Sequence, residues 1–138
     1  MTEVLLDTNV VSELMRKEPA QHVVAFIARC ARPIVSAVVF HELAFGVARL
    51  REGIAKARLE DYLDRVQARF ANRVVAIDAT IAETSGRLRA AASRDGWVLS
   101  PIDSLIAASA INRSATLATR NTRDFERLGI PLVDPWRT

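Results

Sequence analysis

Short aliphatic runs alternate with helix-like stretches along the whole of this chain, and that alternation constrains its fold more than any other feature. The runs are Val4-Leu5-Leu6, Ile34-Val35, Val74-Val75-Ala76-Ile77, Ala115-Thr116-Leu117-Ala118 and Leu132-Val133. Strands separated by helical crossovers cannot form tight hairpins, so the pattern predicts an α/β fold: a central parallel sheet of four to five strands flanked by helices. The first run stops at Asp7, followed by Thr8 and Asn9, three helix-capping residue types in a row. On a central parallel strand Asp7 stands at the carboxyl end, outside which open α/β sheets bind their ligands.

The 138 residues amount to one domain's worth of chain, and without a repeat or linker residues 1–138 read as a single domain. Half of them are hydrophobic and 25% charged, the balance of a globular protein rather than a disordered or fibrous one. No apolar run approaches the ~20 residues of a membrane span. Met1-Thr2-Glu3 lacks the basic and apolar segments of a signal peptide, so a cytoplasmic protein without membrane association is expected. The single Cys30 can make no internal disulfide and excludes a cysteine-built metal cage, leaving oxygen as the ligand for any metal. Only Lys17 and Lys56 are lysines, and every other cation is an arginine. Arginine forks match phosphate oxygens two at a time, but a GC-rich genome produces the same bias, and composition alone does not choose between them.

Helices are expected from Asp7 or Thr8 to about Arg16, from Glu18-Pro19 to about Ala31, and from a Ser36 cap through Leu50. Three more follow: Ile54 to Phe70, an Asp78-capped helix to about Arg94, and one opened by Asp103 that runs from Ser104 to Asn112. His22 has no second ligand type beside it and reads as a surface residue. The acids of the 54–70 helix are answered by neighbouring arginines and carry no chemistry. The helix after Ser36 is apolar nearly all round, as a buried helix is. Glu42 sits inside it, and a buried carboxylate costs several kcal/mol unless paired or metal-bound. Its alternative is an ion pair or surface stripe with Arg49. Asp103 taken alone reads as a helix N-cap, as does Asp78, and Asp124 reads as the cap of a short helix to Leu128.

Taken together the acids say more. Asp7 and Asp124 follow strands, while Glu42 and Asp103 lie on helices too apolar to carry unneutralised charge. No Ser-His or Cys-His companion and no Gly-rich phosphate loop accompanies them. Four such carboxylates suggest ligation of a hard cation. Two cations roughly 3.5–4 Å apart activate a water and stabilise the leaving oxygen of a phosphodiester. The residues alone therefore point to a Mg²⁺ or Mn²⁺ phosphoryl-transfer site.

Leu5-Leu6-Asp7-Thr8-Asn9, then Glu42-Leu43 with Gly46, then Asp103 with Ile106-Ala107-Ala108, then Thr119-Arg120-Asn121 with Asp124-Phe125, resemble the successive motifs of PIN-domain nucleases. The resemblance spans essentially the whole chain and is nearest to the VapC toxins of bacterial toxin–antitoxin pairs, including the FitB-like branch. It implies that Asp7, Glu42, Asp103 and Asp124 are the catalytic, metal-holding acids, with Thr8, Thr119 and Asn121 orienting them or touching substrate. It also implies a Mg²⁺ or Mn²⁺ cofactor, cleavage of single-stranded RNA, a homodimer, and a cognate antitoxin protein that blocks the site and supplies binding to operator DNA. A receiver domain clusters acids in a similar way but needs a lysine after a late strand, where neither Lys17 nor Lys56 lies. The alternative from another class is a catalytically idle PIN module that regulates by binding nucleic acid or protein.

Overall fold

The computed structural model describes residues 2–138. Its strands are β1 (Val4–Leu6), β2 (Pro33–Ser36), β3 (Val74–Val75), β4 (Thr116–Ala118) and β5 (Leu132–Val133), and they form one five-stranded sheet in the order β3-β2-β1-β4-β5. Every pairing is parallel. Leu5 lies opposite Ile34 on one side and Leu117 on the other, which makes β1 the central strand. Buried on both faces, β1 has no polar residue to alternate with, and Leu5 and Leu6 are wholly buried. From β1 the chain moves outward to β2 and β3, then returns to the other side of β1 for β4 and, at the edge, β5. The crevice between the carboxyl ends of β1 and β4 is thus the point where the strand order reverses.

The helices are α1 (Thr8–Leu14), α2 (Gln21–Arg29), α3 (Ala37–Ala48), α4 (Ile54–Arg69), α5 (Ala79–Arg94) and α6 (Pro101–Arg113). Ser36 caps α3 and Asp78 caps α5, each by accepting a backbone N–H of the first turn. Small residues let α5 and α6 pack closely, and a Ser85–Ser104 hydroxyl pair at 2.6 Å joins them where both groups are buried. Among the described residues no helix is long and apolar enough to cross a membrane. His22 is exposed, with Nδ1 2.9 Å from the Thr138 carbonyl.

Several expectations need correction. The second helix begins at Gln21, because Glu18 and Pro19 belong to the turn before it. The run 74–77 is a strand only at Val74–Val75, where an edge strand has one neighbour to pair with. The α3 helix is not buried all round: Ala44 and Ala48 are exposed and Phe45 is 62% exposed, since only one side of the helix meets the sheet. In α4, Asp61 pairs with Arg65 at 2.9 Å, whereas Glu60 and Asp64 have no salt bridge among the described residues. The last helix opens at Pro101 with Ser100 as its cap, two residues ahead of Asp103. After β4 the expected short helix is two 3-10 turns, Thr122–Asp124 and Glu126–Leu128, and Asp124 caps neither.

Candidate active site

Asp7 is fixed from three sides. It follows β1 directly, and its backbone N–H donates to the Ala118 carbonyl of β4 at 2.9 Å. One carboxylate oxygen accepts the Thr8 N–H at 2.7 Å, and the other accepts the Thr119 hydroxyl at 2.7 Å. Thr119 itself is wholly buried and accepts the Asn121 N–H at 3.0 Å, so its one proton is committed to Asp7. Burial pushes the Asp7 carboxyl above the usual carboxylate range, the two hydrogen bonds oppose that, and the charges of Glu42 and Asp124 push it further up.

Glu42 is half-buried on α3 and accepts the Thr8 hydroxyl at 2.5 Å. The alternative ion pair with Arg49 does not form. Arg49 stacks over the Phe45 ring, 5.4 Å from its centroid, on the exposed side of the helix. Glu42 and Thr8 open into a groove of about 730 Å³ between α1, α3 and α4, with Met15, Leu43, Val47 and Leu59 as its apolar wall.

Asp103 lies in the first turn of α6. The Ser100 hydroxyl accepts its backbone N–H at 3.1 Å, so the capping role expected of Asp103 falls to Ser100 and its carboxylate is left for other work. Burial, followed by the charges of Asp7 and Asp124, pushes this carboxyl up to about 6. Asp124 is exposed on its 3-10 turn, and with Asp103 it lines a second recess of about 380 Å³. The Asn121 contribution is through its backbone N–H.

The four acids are near enough for their charges to act on one another. They do not close on a single point, since among the described residues no three acidic, histidine or cysteine side chains form a finished metal-binding group. Like charges at low dielectric repel, and here Asp7 settles on Thr119 and Glu42 on Thr8 instead of converging. An all-oxygen set of mutually repelling carboxylates is the donor chemistry that a hard divalent cation takes.

Two residues escaped the sequence reading. Asn9 stands in the sequence only as part of a motif, yet its amide nitrogen lies 3.4 Å from both Asp7 Oδ2 and Thr119 Oγ1, and its carbonyl oxygen accepts the Arg120 N–H at 3.2 Å. That side chain ties α1 to the loop after β4, and its place beside two capping types hid it. Glu13 is the other, a buried acid that accepts the Ala20 N–H at 2.8 Å and lies 3.3 Å from Arg16, closing the turn between α1 and α2. Its sole signal was a charge among the apolar residues of α1.

Residues 4–131 match the PIN domain family. The chain is 35% identical over 136 residues to toxin FitB of Neisseria gonorrhoeae, covering 96% of this chain and 98% of that one. It is also 35% identical over 136 residues to VapC ribonuclease Y4jK of Sinorhizobium fredii, covering 96% and 97%. It superposes on the solved structure of FitAB bound to an IR36 DNA fragment with a TM-score of 0.87 and 33% identity, covering 96% of this chain and 95% of that one. A match of that extent, on a sheet of this topology, leaves one assignment: the chain belongs to the PIN-domain family, in the branch that holds the VapC and FitB toxins.

Proposed function

We propose that this protein is a metal-dependent endoribonuclease toxin, a single domain that cleaves single-stranded RNA at the four-acid site. The reading is carried by Asp7, a carboxylate buried at the strand-order switch with three further acids within electrostatic reach. Burying that charge is costly, and a site that gathers more of the same sign gains only when a cation joins it. Asp7, Glu42, Asp103 and Asp124 would hold Mg²⁺, with Mn²⁺ as a substitute. A bound cation, or a pair of them, supplies a low-pKa water and charge for the leaving oxygen.

The chain's own residues do the positioning. Thr119 and the Thr8 N–H hold the Asp7 carboxylate in one orientation, and the Thr8 hydroxyl does the same for Glu42. Hydrogen bonds of this kind fix the orientation of two of the acids in advance, which limits how far they must turn to meet a cation. A cognate antitoxin that covers the site and carries operator DNA binding, a homodimer, and action in the cytoplasm go with this reading. The relatives named as toxin and as ribonuclease, and the DNA-bound FitAB complex, support it.

The direct test is cleavage of a single-stranded RNA by purified protein. Cleavage is expected with Mg²⁺, none in excess EDTA, and at least a 10²-fold loss for Asp7→Asn, in keeping with removal of a group that acts on transition-state charge. Asp7→Asn is expected to stay folded by circular dichroism. Cleavage that persists in EDTA overturns the metal dependence, and a wild type that cleaves nothing favours the idle-module alternative.

A further inference from the structure

The loop between β4 and β5 carries Arg120, Arg123 and Arg127, and among the described residues none of them is within salt-bridge distance of a carboxylate. This holds even though Arg123 and Arg127 line the same recess as Asp103 and Asp124. Two of the three are instead stacked on the chain's two tryptophans. The Arg120 guanidinium carbon is 4.8 Å from the Trp136 ring centroid, and that of Arg127 is 5.2 Å from the Trp97 ring centroid. An exposed arginine anchored on an aromatic ring keeps its fork oriented while its donors stay open to another partner.

The recess has the size and lining of a nucleotide subsite. Its volume, about 380 Å³, lies toward the low end of small-ligand sites. Trp97 is half-buried at its wall, and the neighbouring Val98 is 93% exposed, an apolar lip with nothing packed on it. An aromatic ring beside free arginine forks is the combination by which single strands are held, with the ring taking a base and the cations the backbone. Asp103 and Asp124 repel an anion here, and the two arginines offset them one for one. With a cation held by the acids, the balance turns positive.

We propose that this recess binds the nucleotide next to the scissile phosphate of single-stranded RNA, Val98 and the side of Trp97 away from Arg127 receiving the base and Arg123 and Arg127 the adjoining phosphate. The proposal rests on the ribonuclease reading above and extends it to residues outside the acidic motifs.

The test uses full-length Asp7→Asn protein and a fluorescein-labelled single-stranded RNA decamer, with anisotropy read at several salt concentrations in Mg²⁺. Trp97→Leu and Arg123→Gln are each expected to weaken binding about tenfold, the loss of one stacked base or one charged contact. Trp97→Phe keeps a ring and should stay within about threefold of the parent, and Arg123→Gln should lower the log–log salt slope by ~0.7. Arg73→Gln, an exposed site at the amino end of β3, should change neither. Arg123 is exposed, so its variant tests the idea even if Trp97→Leu misfolds by circular dichroism. Parent-like affinity in folded Trp97→Leu and in Arg123→Gln, with wild-type cleavage intact, overturns the subsite alone. Absence of both RNA binding by the parent and cleavage by wild type overturns the ribonuclease reading and the subsite with it.

Discussion

Asp103 carries a carboxyl pushed up to about 6 from an ordinary 3.8, by burial and by the charges of Asp7 and Asp124. A folded-state value above the unfolded one means that the native state binds the proton more tightly, so stability falls as pH rises from the unfolded value to the folded one. The protein in EDTA should therefore melt at a higher temperature at pH 4 than at pH 7, losing stability between about pH 4 and 6 and little beyond. Asp7, raised in the same direction, adds to the slope. Differential scanning calorimetry of Asp103→Asn checks the assignment, because the variant should show a shallower pH dependence than wild type over that window. A melting curve that rises with pH in EDTA would show that the acids are not crowded as described.

At the scale of elements, α6 and the loop after β4 deliver their acids with different firmness. Asp103 is set by a capped helix whose inner face is buried, through Ser104, Ala107 and Ala108. Removing the cap with Ser100→Ala should cost about 1 kcal/mol and lower the melting temperature by a few degrees, while Ser100→Thr should retain most of it. Cleavage should fall with the alanine variant, since the first turn that carries Asp103 loosens. Asp124 hangs on an exposed 3-10 turn without a side-chain cap, and among the described residues it has no ion pair. Asp124→Asn keeps one oxygen ligand, so activity should drop but recover in part with added Mn²⁺, whereas Asp7→Asn and Asp103→Asn should not recover. Titrating Mn²⁺ against cleavage rate for the three variants decides this. An Asp124→Asn protein as inactive as Asp7→Asn at every Mn²⁺ concentration would move Asp124 among the essential ligands.

For the whole molecule, the central position of β1 organises everything else: β2 and β3 on one side, β4 and β5 on the other, and Asp7 at the crevice between. A toxin of this build should arrest growth when expressed alone from an inducible promoter, and Glu42→Gln should relieve the arrest. Colony counts after induction measure both, and a wild type without effect on growth would count for the idle module. Co-expression with the protein encoded immediately upstream should restore growth if that protein is the antitoxin.

Local periodicity determined much of this protein. Short aliphatic runs bounded by Asp7, Ser36 and Asp78 mark strand ends and helix starts because capping and chain reversal depend on a few neighbouring residues. The motifs around Asp7, Glu42, Asp103 and Asp124 carried the family for the same reason, each being written within a few positions. Tertiary structure alone decided the rest. That β1 is central depends on which strand edges pair across 111 intervening residues, as between Leu6 and Ala118, and no local pattern encodes that choice. The pairing of Thr119 with Asp7 and of Thr8 with Glu42, the exposed side of α3, and the stacking of Arg127 on Trp97 are all contacts between elements. Which charge becomes buried, and which arginine stays free, is settled only when those elements pack.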